Sequence, residues 1–240
     1  MSKILRYFFN TIFLLGVSLF VHAQKGTLLP SAVRIGTELG YMGVSLFDPE
    51  KQQFEFSADI DLYKFFLTAD YGTGNWTFNQ DNYDYNSSGS YFKVGVDYNL
   101  LARDPELNVI YFGIKYAKGS FRERLNYEVL DPWYYDYSKT EDKNDVKANW
   151  VEANFGMKVR VWRQLYLGWA GRIKFAKHVS ADGSSLNTYY IPGYGKAGSD
   201  SRWGFNYQIF YRIPFRKKPP YKPKKIKENN DKENTVPEEQ

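Results

Sequence analysis

The chain contains no cysteine. That excludes disulfides, thiolate metal sites, a cysteine nucleophile and an acylated N-terminal cysteine. It also lacks any charge-free apolar run of about 18 residues or more, which excludes a polytopic helical membrane protein, in keeping with a mean hydropathy of −0.55. Histidine is scarce, with only His22 and His178. No glycine-rich phosphate loop, pair of residues at metal-ligand spacing or nucleophile motif is present. Aromatic residues, by contrast, are abundant at 19% of 240 residues, the opposite of the composition that leaves a chain disordered.

The N-terminus reads as an export signal. Lys3 and Arg6 precede an apolar stretch from Tyr7 to Val21, and Val21-His22-Ala23 is the cleavage pattern. The stretch is too short to span a bilayer comfortably, so residues 1–23 are expected to be a signal peptide rather than an anchor, and 24–31 a short periplasmic lead.

From residue 32 to 215 the sequence has a period of two. Val33, Ile35, Thr37, Leu39 and Tyr41 alternate with Arg34, Gly36, Glu38 and Gly40. The same alternation runs through Phe54–Leu62, Phe65–Gly72, Phe92–Leu100, Ile110–Ala117, Val151–Val161, Leu165–Phe175 and Trp203–Phe215. A helix would need spacings of three and four, so eight β-strands are expected. Tyr63-Lys64, Trp162-Arg163-Gln164 and Leu101–Asn108 are short connections, whereas Phe47–Gln53, Asn75–Ser90, Phe121–Asn149 and Lys177–Ser201 are long and polar. An even strand count with alternating short and long connections is the plan of an all-β, eight-stranded antiparallel up-and-down transmembrane β-barrel. The expected location is the outer membrane of a Gram-negative bacterium, with both termini periplasmic. The apolar face would meet lipid, and Tyr41, Trp76, Tyr98, Trp162, Trp169, Trp203, Tyr211 and Phe215 would form its interfacial girdles.

An eight-stranded barrel is only wide enough for its own side chains. The inward set divides by sign: Glu38, Glu55, Asp59, Asp61, Asp70 and Asp97 on the first four strands, against Lys115, Lys158, Arg160, Arg172, Lys174 and Arg212 on the last four. Arg34, Lys93 and Glu152 are the exceptions. Pairing across the lumen is expected, since buried charges need partners, and a plugged interior is expected in preference to a narrow channel.

Two other chemistries have candidate residues. His178 lies near Ser180, Asp182, Ser184 and Ser185, the ingredients of a rim-sited lipid or peptide hydrolase, although such a composition is that of an ordinary loop. Asp81-Asn82-Tyr83-Asp84-Tyr85-Asn86 offers oxygen ligands without the EF-hand spacing. No enzyme activity, cofactor or metal is expected.

Contacts with other molecules are expected at the ends. Trp133, Tyr134 and Tyr135 in one long loop, and Tyr189 and Tyr190 in another, are candidate partner-binding residues, or else they pack over the barrel mouth. Beyond Phe215, Arg216 to Lys227 carries seven positive charges and three prolines, and Glu228 to Gln240 carries five acids. A disordered tail is expected over 216–240. Its Lys217, Lys218, Lys224 and Lys225 would meet peptidoglycan, anionic headgroups or an acidic protein, not nucleic acid.

The signal, the Asp61-Leu62-Tyr63-Lys64 turn, the Ala69-Asp70-Tyr71-Gly72 strand and the basic tail resemble an uncharacterised family of small outer-membrane β-barrel proteins of Bacteroidota. Similar barrels serve as accessory parts of outer-membrane assembly or secretion machines. The resemblance implies a structural or accessory subunit with a protein partner in an envelope complex, surrounded by outer-membrane lipid.

Overall fold

The computed structural model describes residues 30–80, 82–129, 137–180 and 187–216. The expected signal peptide, Trp133, Tyr134 and Tyr135, and the tail lysines Lys217, Lys218, Lys224 and Lys225 lie outside these residues. Ten strands and one helix follow in order: β1 Ala32–Glu38, α1 Leu39–Phe47, β2 Lys51–Leu62, β3 Phe65–Gln80, β4 Tyr83–Asn99, β5 Val109–Val129, β6 Tyr137–Trp162, β7 Leu165–Ser180, β8 Tyr190–Ile191, β9 Gly195–Lys196 and β10 Arg202–Pro214. Eight of the strands close an antiparallel barrel in the order β1-β10-β7-β6-β5-β4-β3-β2, while β8 and β9 form a separate miniature hairpin.

The alternation sets the two faces. Phe56, Ile114, Phe155, Trp203 and Phe205 point outward and are each at least half exposed. Glu55, Asp59, Lys93, Lys115, Glu152 and Arg172 point inward and are buried. In water such an arrangement would forfeit the hydrophobic effect on every strand. In lipid it is the favourable one, because closure satisfies the backbone internally and the apolar belt faces hydrocarbon. The protein is a transmembrane β-barrel.

Three departures from the sequence expectation shape the mouth. First, two of the long connections are largely strand. The β3–β4 ladder continues to Gln80↔Tyr83, and the β5–β6 ladder to Val129↔Tyr137. Of the Asp81–Asn86 run, Asp81 lies outside the described residues and Tyr83–Asn86 belong to β4, with Asp84 paired to Asn79. β6 is 26 residues long, well beyond the roughly 9–11 that cross hydrocarbon, so these hairpins stand clear of the belt.

Second, bulges reverse the alternation. Phe121↔Val146 is followed by Glu123↔Lys143, leaving an extra residue on β6 where Asp145 adopts φ 55. Beyond it the odd positions face inward, and Lys143 is buried. On β7, Phe175↔Val151 is followed by His178↔Asn149, which leaves His178 exposed and packs Val179 against the core.

Third, β1 stops early. It ends at Glu38 instead of running to Tyr41, and its ladders finish at Glu38↔Gln208 and Thr37↔Phe56. The edges of β10 and β2 above that level have no strand between them, and α1 occupies the gap. Glu38 caps the helix, accepting the N–H of Gly40 at 3.1 Å and that of Tyr41, and it also accepts the otherwise free Tyr207 N–H at 3.0 Å. Ser45 Oγ accepts the Gln53 N–H at 2.9 Å. Side chains thus satisfy edge donors that a longer β1 would have paired. Among the described residues no helix is long and apolar enough to cross a membrane.

Candidate functional site

The lumen is filled by three groups of ion pairs. At its centre Glu55 receives Arg172 Nη1 at 2.7 Å and Lys93 Nζ at 2.9 Å, and Lys93 reaches on to Glu152 at 3.2 Å. Tyr91 Oη donates to Glu55 at 2.9 Å and Trp150 Nε1 to Glu152 at 2.8 Å. Towards the short-turn end, Asp59 is shared by Lys158 at 2.6 Å and Arg34 at 2.8 Å, and Asp70 pairs with Lys115 at 2.6 Å. Arg34 also lies over the Phe66 ring at 4.2 Å. Apart from Arg34–Asp59, on adjacent strands, these pairs run between strands that are not ladder neighbours. A cavity of about 10 Å³ among Asp59, Asp70, Asp97, Lys115 and Lys158 is the room of about one water.

Not every expected network member takes part. Asp59, Asp70, Lys158 and Arg172 do. Asp97 is buried beside Lys115 and Lys158, but its Oδ1 has no hydrogen bond. Lys174 turns to main-chain oxygens, Gly193 at 2.7 Å and Tyr194 at 3.3 Å. Glu38 serves the wall gap instead of an ion pair. Asp61 sits at the short-turn rim, accepting the Tyr63 N–H at 3.1 Å. Arg160 leaves the lumen and pairs with Glu106 of the short 101–108 connection, because a bulge between Arg160 and Trp162 ends the regular ladder there. Arg212 is buried without a side-chain partner among the described residues.

The long-loop mouth is closed by residues that the alternation did not single out. Tyr190 and Ile191 open the miniature hairpin; Ile191 and Tyr194 pack with Tyr91, Phe121, Val146 and Trp150 in one buried cluster, and Tyr190 is buried beside them. Polar contacts fix the plug on several sides. Ser87 Oγ donates to Tyr190 O at 2.9 Å, Tyr190 N–H to Tyr85 Oη at 3.1 Å, and Thr188 Oγ1 to Glu123 at 3.0 Å. Tyr85 also donates to Glu123. Burial first, and then the Glu123 carboxylate, push the Tyr85 hydroxyl above the ordinary phenol range. The signal for this plug was present in the Tyr189-Tyr190-Ile191-Pro192-Gly193-Tyr194 cluster, but its direction was not.

Of the two placements expected for Tyr189 and Tyr190, Tyr190 takes the packed one at the mouth, being 7% exposed, whereas Tyr189 is 43% exposed and stands edge-on to Tyr85. The girdle expectation is corrected for two residues. Trp76 does not join the girdle; it faces inward and rests on Tyr190 with ring centres 4.2 Å apart. Tyr41 lies in α1 beside the same contact, lining a 220 Å³ cavity with Trp76 and Tyr190. Among the described residues no cluster of three or more His, Asp or Glu could hold a metal. His178 faces outward opposite Asn149, with no hydroxyl or carboxylate bonded to it among the described residues.

No curated protein sequence matches the chain. Among solved structures, it is similar to Ail, the attachment invasion locus protein of Yersinia pestis, at 11% identity and a TM-score of 0.40, covering 77% of this chain and 98% of that one. It is also similar to CarO of Acinetobacter baumannii, at 10% identity and a TM-score of 0.38, covering 80% and 100%. A family model covers most of the chain, residues 4–218, and the protein belongs to that family, the domain of unknown function DUF6048.

Proposed function

We propose that the protein is a non-enzymatic outer-membrane β-barrel, a structural or accessory subunit of an envelope assembly or secretion complex. In this reading the short turns and both termini are periplasmic and the tall hairpins extracellular. The observation that carries it is the closed lumen. Ion pairs fill the middle and a folded-back loop seals the mouth, so recognition falls to the parts outside the wall. These are the β3–β6 hairpins, with Tyr189 at their base, the loop bearing Trp133, Tyr134 and Tyr135, and the basic tail. Of these, β5 and β6 rise furthest beyond the belt, and Arg124–Asp142 at 2.7 Å and Lys139–Glu141 at 2.8 Å lie on their solvent-exposed surface. A polar, charged protrusion suits a protein partner better than lipid.

The test is a native pull-down. An affinity tag is inserted between Gly183 and Ser184, membranes are solubilised in mild detergent, and co-purifying proteins are identified with and without residues 217–240. A stoichiometric envelope partner is expected, and its loss on truncation would assign the contact to the tail. A protein that always purifies alone overturns the subunit reading. Stable unit conductance in planar bilayers would overturn the closed lumen.

A further inference from the structure

Among the described residues, eight lysines and arginines are buried: Arg34, Lys93, Lys115, Lys143, Lys158, Arg172, Lys174 and Arg212. Seven have an ion pair or hydrogen bond from the side chain. Arg212 does not. It is 5% exposed and its main-chain N–H bonds to Gln164 O at 2.8 Å, but its guanidinium has no partner among the described residues.

Its surroundings add to the demand for a negative charge. Arg34 lies directly opposite Arg212 in the β1–β10 ladder, an unfavourable like-charge pairing. Arg34 Nη2 and the hydroxyl of Tyr166 are themselves buried and unbonded, and the Tyr166 hydroxyl feels Arg212, Arg34 and Arg160 as its strongest charges. Two of the nearby acids are taken up by other cations, Asp59 by Arg34 and Lys158 and Glu106 by Arg160, while Asp61, whose charge also reaches Tyr166, accepts the Tyr63 N–H. Arg212 faces a cleft of about 560 Å³ at the short-turn rim, lined also by Pro105, Leu107, Gln164, Phe215 and Arg216. A guanidinium that opens into this cleft with no acid bonded to it is free to take an anion there, and its two-pronged donor geometry matches a carboxylate or phosphate.

We infer that Arg212 anchors an oxyanion-binding site at the short-turn mouth of the barrel, with Arg216 as a second cation at its outer edge. The ligand group is a phosphate or carboxylate. Three sources carry that chemistry: free phosphate, an anionic lipid headgroup, and the acidic block Glu228–Gln240 of the same chain, which follows the cleft by an 11-residue basic segment.

The test titrates inorganic phosphate into the full-length protein in uncharged detergent, by calorimetry, with chloride at equal ionic strength as the blank. Saturable binding is expected, weakened at least tenfold in R212Q and less in R216Q. Because R212Q could fail to fold, its faster migration when unheated is checked first. R212K, which keeps the charge but loses the paired donors, gives a second reading, with an intermediate affinity expected. A chain ending at Lys227 and phosphatidylcholine vesicles with or without phosphatidylglycerol separate the sources. Binding that emerges only in the shortened chain makes the acidic block the resident ligand. Binding suppressed by phosphatidylglycerol makes it a headgroup, and binding unaffected by either change makes it free phosphate. Affinity that is equal in wild type and R212Q, or absent in both chain lengths with and without phosphatidylglycerol, overturns the site.

Discussion

Arg172 Nη1 meets Glu55 Oε1 at 2.7 Å, joining residues 117 apart in sequence. They lie on β7 and β2, which are not neighbours in the sheet, so the bond crosses the lumen and ties two sides of the wall together. Both side chains are fully buried, and Glu55 is held in addition by Lys93 and Tyr91. Removing one partner leaves a buried charge under-compensated, whereas removing both does not.

Arg172→Ala is therefore expected to destabilise the barrel by about 3–5 kcal/mol, the range for breaking a buried pair. The double replacement Glu55→Met with Arg172→Met should cost less than either single change. Urea unfolding in lipid vesicles measures both. Single and double variants of equal stability would show that the pair is not coupled.

Gly193 turns with φ +80 at the tip of the β8–β9 hairpin, and an added Cβ would lie 2.6 Å from the Tyr91 ring. Backbone conformation and space both call for glycine at this position. Gly193→Ala should lift the plug from the mouth and leave the barrel closed. Limited proteolysis reads it out as new cleavage within residues 187–201 with heat-modifiable mobility unchanged. A variant as resistant as wild type would mean that the tip does not hold the plug.

The mouth should also loosen in alkali. The Tyr85 hydroxyl is raised above its ordinary value of 10.0, first by burial and then by its bond to Glu123. Below pH 10 the proton is present in both the docked and the open state, and the contribution is intact. Above it the open state loses the proton while the docked state retains it, so docking weakens as pH rises from about 10. Subtilisin cleavage near Lys196, followed from pH 8 to 11, should accelerate in wild type. In Tyr85→Phe it should be faster already at pH 8 and change less with pH. Parallel profiles for the two proteins would assign the alkaline effect to another group.

The wall was more legible in the sequence than the mouth. Strict alternation, as in Phe54, Phe56, Ala58 and Ile60 against Glu55, Ser57, Asp59 and Asp61, states both the strand and its inner face. That parity marked Glu55, Lys93, Lys115 and Glu152 as inward, although which cation meets which acid depends on strand tilt, which no single strand reveals. Bulges are where parity failed. The extra residue near Asp145 reverses the faces of β6, and the one before His178 reverses β7, without a glycine to announce either. The hairpin arms of Asn75–Ser90 read as loop because Asn, Ser and Gly are poor strand formers, yet pairing with a neighbour overrides that preference. β1 stopped short of its alternating pattern because Glu38 can cap a helix as readily as it can extend a strand.

Glu38 is the residue on which the wall gap depends. It is 0% exposed, yet among the described residues no cation pairs with it. Its carboxylate instead collects the N–H groups of Gly40, Tyr41 and Tyr207, two from the first turn of α1 and one from the free edge of β10. Glu38→Ala removes both acceptor oxygens, and with them all three hydrogen bonds, and should cost about 1–2 kcal/mol as a lost cap, concentrated in α1 and the adjacent edge. Glu38→Gln retains one acceptor oxygen and should lose less. Hydrogen exchange followed by mass spectrometry should show Leu39–Phe47 and the Tyr207 amide exchanging faster in Glu38→Ala, while the β3–β4 ladder keeps its protection. If α1 exchanges at the wild-type rate in Glu38→Ala, the helix is held by its packing against β2 and β10, and the cap has no part in closing the wall.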